Sequence, residues 1–315
     1  MVFQIILLLC SIYAISEQAA GLAISSSCEA KSSCGNVRNI PYPFGIGAGC
    51  YVDDWFEVVC MNDSLGSPKP VLKRLNLEVL NISLEDTYRY SRSTVRVNYP
   101  TFSNCTNSSS RKQNVELANS SFIFSYYQNR FVAMGCDNTA SMRFSDDSMI
   151  GCSSRCDSSK VVRYDDSCNG ISCCQTTITS GLNTFETTID PIDPRKPAVT
   201  EGCKSAFLVE DDWFWESGSL INMSSIMSHV PVVLEWGILD TSFNTLPIAK
   251  KTAAEYNCYD HNYISDSKYQ TSYTCYCNKG FDGNPYLVGG CPGKVFKAVV
   301  YFISLFFLLP FRVRY

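Results

Sequence analysis

A run of three acidic residues beside two tryptophans is the part of this sequence that most resembles a hydrolytic site. Glu210 to Asp212 directly precede Trp213 and Trp215. Glycoside hydrolysis needs two carboxyl groups about 5 to 9.5 Å apart, one on each side of the scissile bond. The acidic run follows the β-branched and aromatic stretch Ala206–Val209, so we interpret it as an acidic turn after a strand. We therefore predict no catalytic residues and no enzymatic activity.

Metal and cofactor chemistry finds little support in the residue types. The sequence has two histidines, and none lies close to Cys152 and Cys156 to complete a metal site. The glycines at positions 45, 47 and 49 resemble a phosphate-binding loop only in part. A cysteine, Cys50, closes that run where a nucleotide fingerprint would open a helix. We predict a tight turn leading into a disulfide, no metal and no cofactor.

Arginines and tyrosines alternate between positions 88 and 97, Tyr-Arg-Tyr-Ser-Arg-Ser-Thr-Val-Arg-Val. In a strand, the period of two would place one set on a single face: Tyr88, Tyr90, Arg92, Thr94 and Arg96. Arginine can hold a carboxylate with two parallel hydrogen bonds. The alternative is the solvated face of a half-buried strand. Three further cations extend the predicted surface: Arg38, Lys73 and Arg74.

The number of cysteines indicates the redox compartment of the protein, and its net charge indicates which classes of partner it can bind. The chain has 315 residues and 17 cysteines. Removing Cys10 with a leader leaves an even number, as a disulfide framework in an oxidising compartment requires. The net charge is −4, from 26 basic and 30 acidic residues, so we expect no nucleic-acid partner.

The first 21 residues predict a secretory signal peptide. An apolar stretch, Phe3 to Ile15, precedes the small residues 19–21, which suit cleavage. An uncleaved anchor would need about 20 apolar residues. Six Asn-x-Ser/Thr sequons predict N-glycosylation: Asn62, Asn81, Asn104, Asn107, Asn119 and Asn222.

Local patterns elsewhere are mostly those of β-strands. Short β-branched or aromatic runs predict strands at 95–97, 122–124, 175–179, 206–209 and 230–236. Only 220–227 resembles a short helix. The segment 190–197 contains three prolines and is predicted to be a long surface loop. The fold class is therefore mainly β, in a disulfide-rich secreted ectodomain of several modules.

Three stretches resemble a known family. Cys34-Gly-Asn-Val-Arg-Asn-Ile-Pro-Tyr-Pro-Phe-Gly to Cys50 resembles the opening of the galacturonan-binding domain of plant wall-associated receptor kinases. Cysteines 152 to 203 and the run Pro231-Val-Val-Leu-Glu-Trp236 resemble the second extracellular module of that family. Cys275-Tyr-Cys277-Asn-Lys-Gly-Phe-Asp-Gly-Asn-Pro-Tyr to Cys291 is similar to its EGF-like module.

The resemblance implies an organisation for the chain. We expect a galacturonan-binding domain at 22–140, a second cysteine-rich module at 141–250, and a degenerate EGF-like module at 251–293. Aligning the EGF-like part makes its cysteines the second, fourth, fifth and sixth of that pattern. The implied disulfides are Cys258–Cys275 and Cys277–Cys291. The acidic start that binds calcium in such modules is absent, so we expect no calcium.

The resemblance also implies a function. The predicted ligand is pectin, a polygalacturonate, in the cell wall or extracellular space. The residue pattern, and not the resemblance, suggests the side chains that hold it: Tyr88, Tyr90, Arg92, Arg96, Arg38, Lys73 and Arg74. The N-terminal half is the better candidate for an anion, because residues 22–140 carry 11 basic and 10 acidic side chains and residues 141–293 carry 11 and 19. The alternative is a decoy or co-receptor that binds a receptor-like kinase through protein contacts.

No kinase motif such as H-R-D or D-F-G occurs, so we predict no kinase activity. The tail, 294–315, is apolar over Ala298 to Phe311 and ends with two arginines. Three interpretations stay open for it: a marginal membrane segment at the plasma membrane, a lipid-anchor signal, and an alternative transcript end.

Overall fold

The computed structural model describes residues 28, 31–85, 92–104, 112–117, 119–144, 147–156, 168–193, 203–216, 227–246, 248, 252–265 and 268–293. Strands dominate, and the two helices of the described residues, α1 (Asp211–Glu216) and α2 (Asp240–Phe243), are short. The fold class predicted from sequence, mainly β and rich in disulfides, is confirmed.

The largest sheet has six antiparallel strands. In spatial order these are β1 (Val58–Asn62), β2 (Pro68–Leu72), β3 (Leu77–Ser83), β4 (Thr94–Pro100), β14 (His229–Trp236) and β7 (Phe122–Phe124). Strand β4 shows the expected alternation, with Val95 and Val97 fully buried and Arg96 half-buried between them. Strand β14, the fifth strand of the sheet, is buried at seven consecutive positions, so both of its faces are covered.

Two four-stranded sheets and one three-stranded sheet complete the fold. The second sheet has the order β10 (Met149–Ser154), β9 (Asn138–Arg143), β12 (Thr184–Pro191) and β6 (Lys112–Glu116). The third has the order β11 (Cys173–Thr177), β8 (Asn129–Met134), β13 (Lys204–Glu210) and β5 (Phe102–Asn104). The fourth contains β15 (Ile238–Leu239), β17 (Lys268–Cys277) and β16 (Tyr256–Ser265), the last two forming a long hairpin.

Strands from both sides of residue 140 share the first three sheets. Strand β14 pairs with β4, β13 pairs with β5, and β12 pairs with β6. In each case a strand after residue 140 pairs with a strand before it. The segments predicted as the first and second modules therefore contribute strands to common sheets and a single buried core.

An aromatic cluster joins the first and last segments of the described chain. Phe44 packs edge-on against Trp236 at a ring distance of 5.2 Å and against Phe56 at 4.9 Å. Tyr286 lies 5.6 Å from Trp236 and is fully buried. Aromatic side chains bury about 150–250 Å² each and dominate core energetics. The Pro-Tyr-Pro-Phe and Gly-Asn-Pro-Tyr segments thus meet on one tryptophan of β14.

Seven disulfides link the described residues. They are Cys28–Cys50, Cys34–Cys60, Cys136–Cys156, Cys152–Cys174, Cys168–Cys173, Cys258–Cys275 and Cys277–Cys291. The last two are the pairs that the EGF-like alignment implies. The adjacent Cys173 and Cys174 have different partners, because neighbours in a strand point to opposite faces. Cys203 is also disulfide-bonded.

Three local predictions need comment. Residues 211–212 do not form a turn, because they begin a short helix, α1 (Asp211–Glu216), which buries Phe214. Strand β12 extends to Pro191, so the predicted loop begins later than position 190. Proline is tolerated there because β6 pairs with β12 only as far as Thr188, which leaves one edge unpaired. Most of the helix predicted at 220–227 lies outside the described residues.

Candidate ligand-binding site

The predicted arginine and tyrosine face is only partly within the described residues. Tyr88 and Tyr90 lie outside them. Strand β4 begins at Thr94, so Arg92 precedes the strand and Arg96 lies within it. The structure therefore does not place Arg92 and Arg96 as successive ligands of one strand.

Arg96 is held by a carboxylate of the protein itself. The Arg96 Nε donates a hydrogen bond to Glu210 Oε2 at 2.6 Å. Nearby, Arg130 forms an ion pair with Asp211 and donates a hydrogen bond to Gln175. Its guanidinium carbon lies 5.0 Å from the centroid of the Trp215 ring. Two carboxylates of the acidic run are thus paired with arginines, an arrangement that leaves them poorly suited to general acid and base roles.

Arg92 is also paired. Its Nη1 donates to Glu235 Oε2 at 2.8 Å, and its guanidinium lies 4.7 Å from the Tyr127 ring. Glu235 is 8% exposed and accepts a second hydrogen bond from Ser125 Oγ. The alternative of a merely solvated strand face therefore does not describe Arg92 and Arg96, because both form ion pairs within the chain. Each arginine compensates a half-buried or buried carboxylate, as a charge removed from water requires.

The three remaining predicted cations lie on or near the first strands. Arg74 stacks on Trp55 with 3.7 Å between the guanidinium carbon and the ring centroid. Lys73 Nζ lies 2.8 Å from Glu57 Oε2, and this hydrogen bond raises the pKa of the lysine. Arg38 is exposed and has no ion pair within the described part of the chain. We group Arg38, Trp55, Lys73 and Arg74, all of which precede β3, under the name basic surface.

A cleft of about 520 Å³ lies where the three predicted modules meet. Glu85 and Arg92 line it from the N-terminal segment, Glu235 and Trp236 from β14, and the hairpin β16–β17 closes the other side. Small polar residues line the rest, among them Ser121, Ser180, Asn262, Ser272 and Thr274. The volume is within the range of about 300–1,000 Å³ typical of small-molecule sites.

Burial shifts the pKa of three groups in the cleft, Glu85, Tyr259 and His261. Burial raises the pKa of Glu85 above its ordinary value, although the hydrogen bond from Tyr259 and the charge of Arg92 act against this. Burial and then the hydrogen bond to Glu85 raise the pKa of Tyr259. Burial, reinforced by the positive charge of Arg92, lowers the pKa of His261. The cleft thus favours a neutral imidazole beside two carboxyl groups.

Sequence reasoning found Arg92 but missed the other residues of this cleft. Glu85, Glu235 and His261 come from three predicted modules and share no local motif. Their proximity depends on the pairing of β14 with β4 and on the docking of the hairpin. Trp55 was also missed, although its position close to two basic residues in the folded sheet gives it a cation partner.

The described residues show neither a cluster suited to a metal ion nor a helix suited to a membrane. Within the described ranges, no group of three or more histidine, cysteine, aspartate or glutamate side chains is arranged to hold a metal ion. Among those same residues, no helix has the length and apolar character needed to cross a membrane. The apolar tail at 294–315 lies outside the described residues.

The fold defines a disulfide-rich protein built mainly of β-strands. Residues 28–98 match the family model described as wall-associated receptor kinase galacturonan-binding, and residues 165–244 match the model described as wall-associated kinase. The chain therefore resembles, over about 85% of its length, the extracellular region of the wall-associated receptor kinases.

Curated relatives agree with this assignment. Wall-associated receptor kinase-like 10 of Arabidopsis thaliana is 30% identical over 86% of this chain and 39% of its own length. Wall-associated receptor kinase-like 6 of the same organism is 32% identical over 85% of this chain and 44% of its own length. Wall-associated receptor kinase 2, also of that organism, is 31% identical over 84% of this chain and 34% of its own length. The chain thus spans about two fifths of the relatives it matches. No solved structure matches it.

Proposed function

We propose that this chain is an extracellular protein that binds pectic polysaccharide in the plant cell wall without chemical turnover. The observation that carries the proposal is the match of residues 28–98 to a galacturonan-binding family model. The basic surface supports it, because Arg74 stacked on Trp55 offers a cation beside a flat ring. A polygalacturonate has one carboxylate per sugar and apolar ring faces, which suit those two groups.

The proposed ligand residues are those predicted from sequence, with different roles. Arg38, Lys73 and Arg74 are exposed and supply the first contacts with the polyanion, with Lys73 doing so where a ligand carboxylate competes with Glu57. Arg92 and Arg96 can contribute only where a ligand carboxylate competes with Glu235 and Glu210. Tyr88 and Tyr90 remain proposed stacking partners.

Secretion, glycosylation and membrane association belong to the same proposal. We propose cleavage after residue 21 and glycans at the six sequons. Asn62, Asn81 and Asn119 are exposed and Asn104 is half-buried, while Asn107 and Asn222 lie outside the described residues. Exposure of the first three supports their use as acceptors. The apolar tail would add weak membrane association.

The direct test is binding of the secreted protein to polygalacturonate, with poly-L-glutamate of matched charge as the control. The proposal predicts saturable binding to polygalacturonate, weaker binding to polyglutamate, and no shortening of the polysaccharide on prolonged incubation. Equal affinity for both polymers would reduce the interaction to unspecific charge attraction. Shortening of the polymer would show an enzyme.

A second candidate function is a co-receptor that binds a receptor-like kinase through protein contacts. Tyr269, at the start of β17, is 81% exposed, and aromatic residues are enriched in protein interfaces. This candidate predicts that Tyr269→Ala weakens binding to a receptor-kinase ectodomain and leaves polygalacturonate binding unchanged. A loss of polygalacturonate binding in that variant would contradict it.

A further inference from the structure

We propose that the cleft between the three modules is a second carbohydrate site, which binds an uncharged, hydroxyl-rich saccharide. The cleft is separate in sequence from the basic surface, and its lining comes from β14, the hairpin β16–β17 and the segments around Glu85 and Ser180. None of the four residues of the basic surface lines the cleft. Of the other proposed polygalacturonate contacts, Arg92 does line it, so the test below uses variants at residues that are not among those contacts.

The lining has the chemistry of a neutral-sugar site. Carboxylates only accept hydrogen bonds, so Glu85 and Glu235 suit hydroxyl groups, which can donate. Asn262 offers both a donor and an acceptor, and the half-buried Tyr126 offers an aromatic ring for the apolar face of a pyranose. Small-molecule sites commonly combine apolar and aromatic walls with a few polar groups that fix orientation.

Two residues that line the cleft carry a buried polar atom without a partner. Ser121 Oγ and Trp236 Nε1 have no hydrogen-bonding partner in the part of the chain that the structure describes. Both residues are 3% exposed. Buried polar groups are normally paired, and each unpaired one needs an explanation. Protein atoms cover both of these polar atoms, so a saccharide hydroxyl would pair with them only after the covering side chains move.

Charge selects against a uronic acid in this cleft. The ionisable lining comprises two glutamates, one arginine already paired with Glu235, and His261, whose pKa is lowered by burial. A galacturonate carboxylate would meet two like charges and one occupied cation. Juxtaposed like charges suppress the wrong partner, so the structure assigns the cleft to an uncharged sugar.

The test compares two tetrasaccharides that differ only at carbon 6. The probes are α-1,4-galactotetraose, with CH₂OH at that carbon, and tetragalacturonate, with a carboxylate. Binding to the full secreted chain is measured by calorimetry and by the fluorescence of the tryptophans. The proposal predicts saturable binding of galactotetraose that changes less than twofold when salt rises from about 0.05 to about 0.5 M, because no ligand charge is screened.

Variants locate the site. Ser180 is exposed and lines the cleft, so Ser180→Trp should fill the entrance and weaken galactotetraose binding at least tenfold, whereas Thr179→Trp, an exposed neighbour outside the lining, should not. Tyr126→Ala should weaken it as well, with Tyr269→Ala as the matched control. The Tyr126 variant also decides the question if Ser180→Trp fails to fold.

The possible outcomes separate the two proposals. Unchanged galactotetraose binding in both cleft variants, or no binding in the parent protein, would overturn the cleft assignment and leave salt-sensitive polygalacturonate binding untouched. Tighter cleft-dependent binding of tetragalacturonate would overturn the selection for an uncharged sugar. Loss of polygalacturonate binding alone would leave the cleft assignment standing.

Discussion

At the scale of single residues, ion pairs decide which arginines are available to a ligand. Arg92 neutralises Glu235, which is 8% exposed and also accepts from Ser125. Replacing Arg92 leaves a buried carboxylate with one partner fewer, which costs more than the loss of an exposed charge.

We therefore expect Arg92→Gln to lower the free energy of unfolding by about 1–3 kcal/mol in urea titrations. The double variant Arg92→Gln with Glu235→Gln should recover much of this loss, because it also removes the unpaired charge. Arg38→Gln, an exposed control, should change the free energy by less than about 0.5 kcal/mol. Equal effects of Arg92→Gln and Arg38→Gln would show that the ion pair contributes nothing.

Residue types were predictable from the sequence, but their partners were not. Alternation around Arg96 correctly predicted a strand with buried valines on its other face. The carboxylate that pairs with Arg92 is 143 positions away, and the one that pairs with Arg96 is 114 positions away. No local pattern encodes such a contact, so an arginine stripe alone could not distinguish a ligand surface from an internal ion pair.

At the scale of elements, the hairpin β16–β17 is fixed to the core by Tyr286. The hydroxyl of this tyrosine accepts a hydrogen bond from the Cys275 backbone N–H at 2.9 Å, and its ring packs near Trp236. Asn284 donates to the Tyr42 carbonyl oxygen at 2.6 Å. The EGF-like segment is thus held against the galacturonan-binding segment by both polar and aromatic contacts.

Tyr286→Phe keeps the ring but removes the acceptor. We expect a loss of about 1–2 kcal/mol, since a buried N–H is left unpaired. Hydrogen exchange of the Cys275 amide should accelerate in this variant more than exchange in β4. Tyr269→Phe, at an exposed position of the same hairpin, serves as the control and should leave exchange unchanged. Equal exchange in parent and Tyr286→Phe would contradict this anchoring role.

His261, in the same hairpin, makes the stability of the fold depend on pH. Burial lowers the pKa of His261 below its ordinary 6.5, so the contribution of the neutral ring is fully present above pH 6.5 and is lost as pH falls below it. Glu85 acts in the opposite direction. Because the pKa of Glu85 is raised in the folded protein, its protonated carboxyl contributes stability that is fully present below pH 4.5. This stability is lost as pH rises through the folded pKa.

We expect His261→Gln to reduce the loss of stability between about pH 7.5 and about pH 5.5, measured by urea titration at each pH. The other histidine of the chain, the exposed His229, provides a matched control, and His229→Gln should follow the parent protein. A parallel pH dependence in all three proteins would show that His261 does not carry the effect.

The strands themselves were largely predictable, while their arrangement was not. The β-branched run at 230–236 predicted a strand, but it did not predict the place of that strand between β4 and β7 or the burial of both its faces. That place depends on pairing with a strand more than a hundred residues earlier. The acidic residues after β13 begin a helix because Phe214 can be buried there, a tertiary contact that overrides the local turn pattern.

At the scale of the whole molecule, the two candidate surfaces differ in charge. The basic surface lies on an N-terminal half that is nearly neutral overall, and the cleft includes carboxylates from both halves. A polyanion should therefore bind the basic surface. Each exposed charge-assisted contact contributes about 1 kcal/mol or less and is screened over about 10 Å at 0.1 M salt.

The affinity of the secreted chain for oligogalacturonides of increasing length, measured at low and high salt, tests the central claim most directly. We predict that affinity rises with length, falls with salt, and drops at least about tenfold in the triple variant Arg38→Gln, Lys73→Gln, Arg74→Gln. A control triple with the same change in charge, Arg143→Gln, Arg155→Gln, Lys279→Gln, replaces exposed cations elsewhere and should bind nearly as the parent does. Equal losses in the two triple variants, or an affinity independent of length and salt, would contradict pectin binding at this surface.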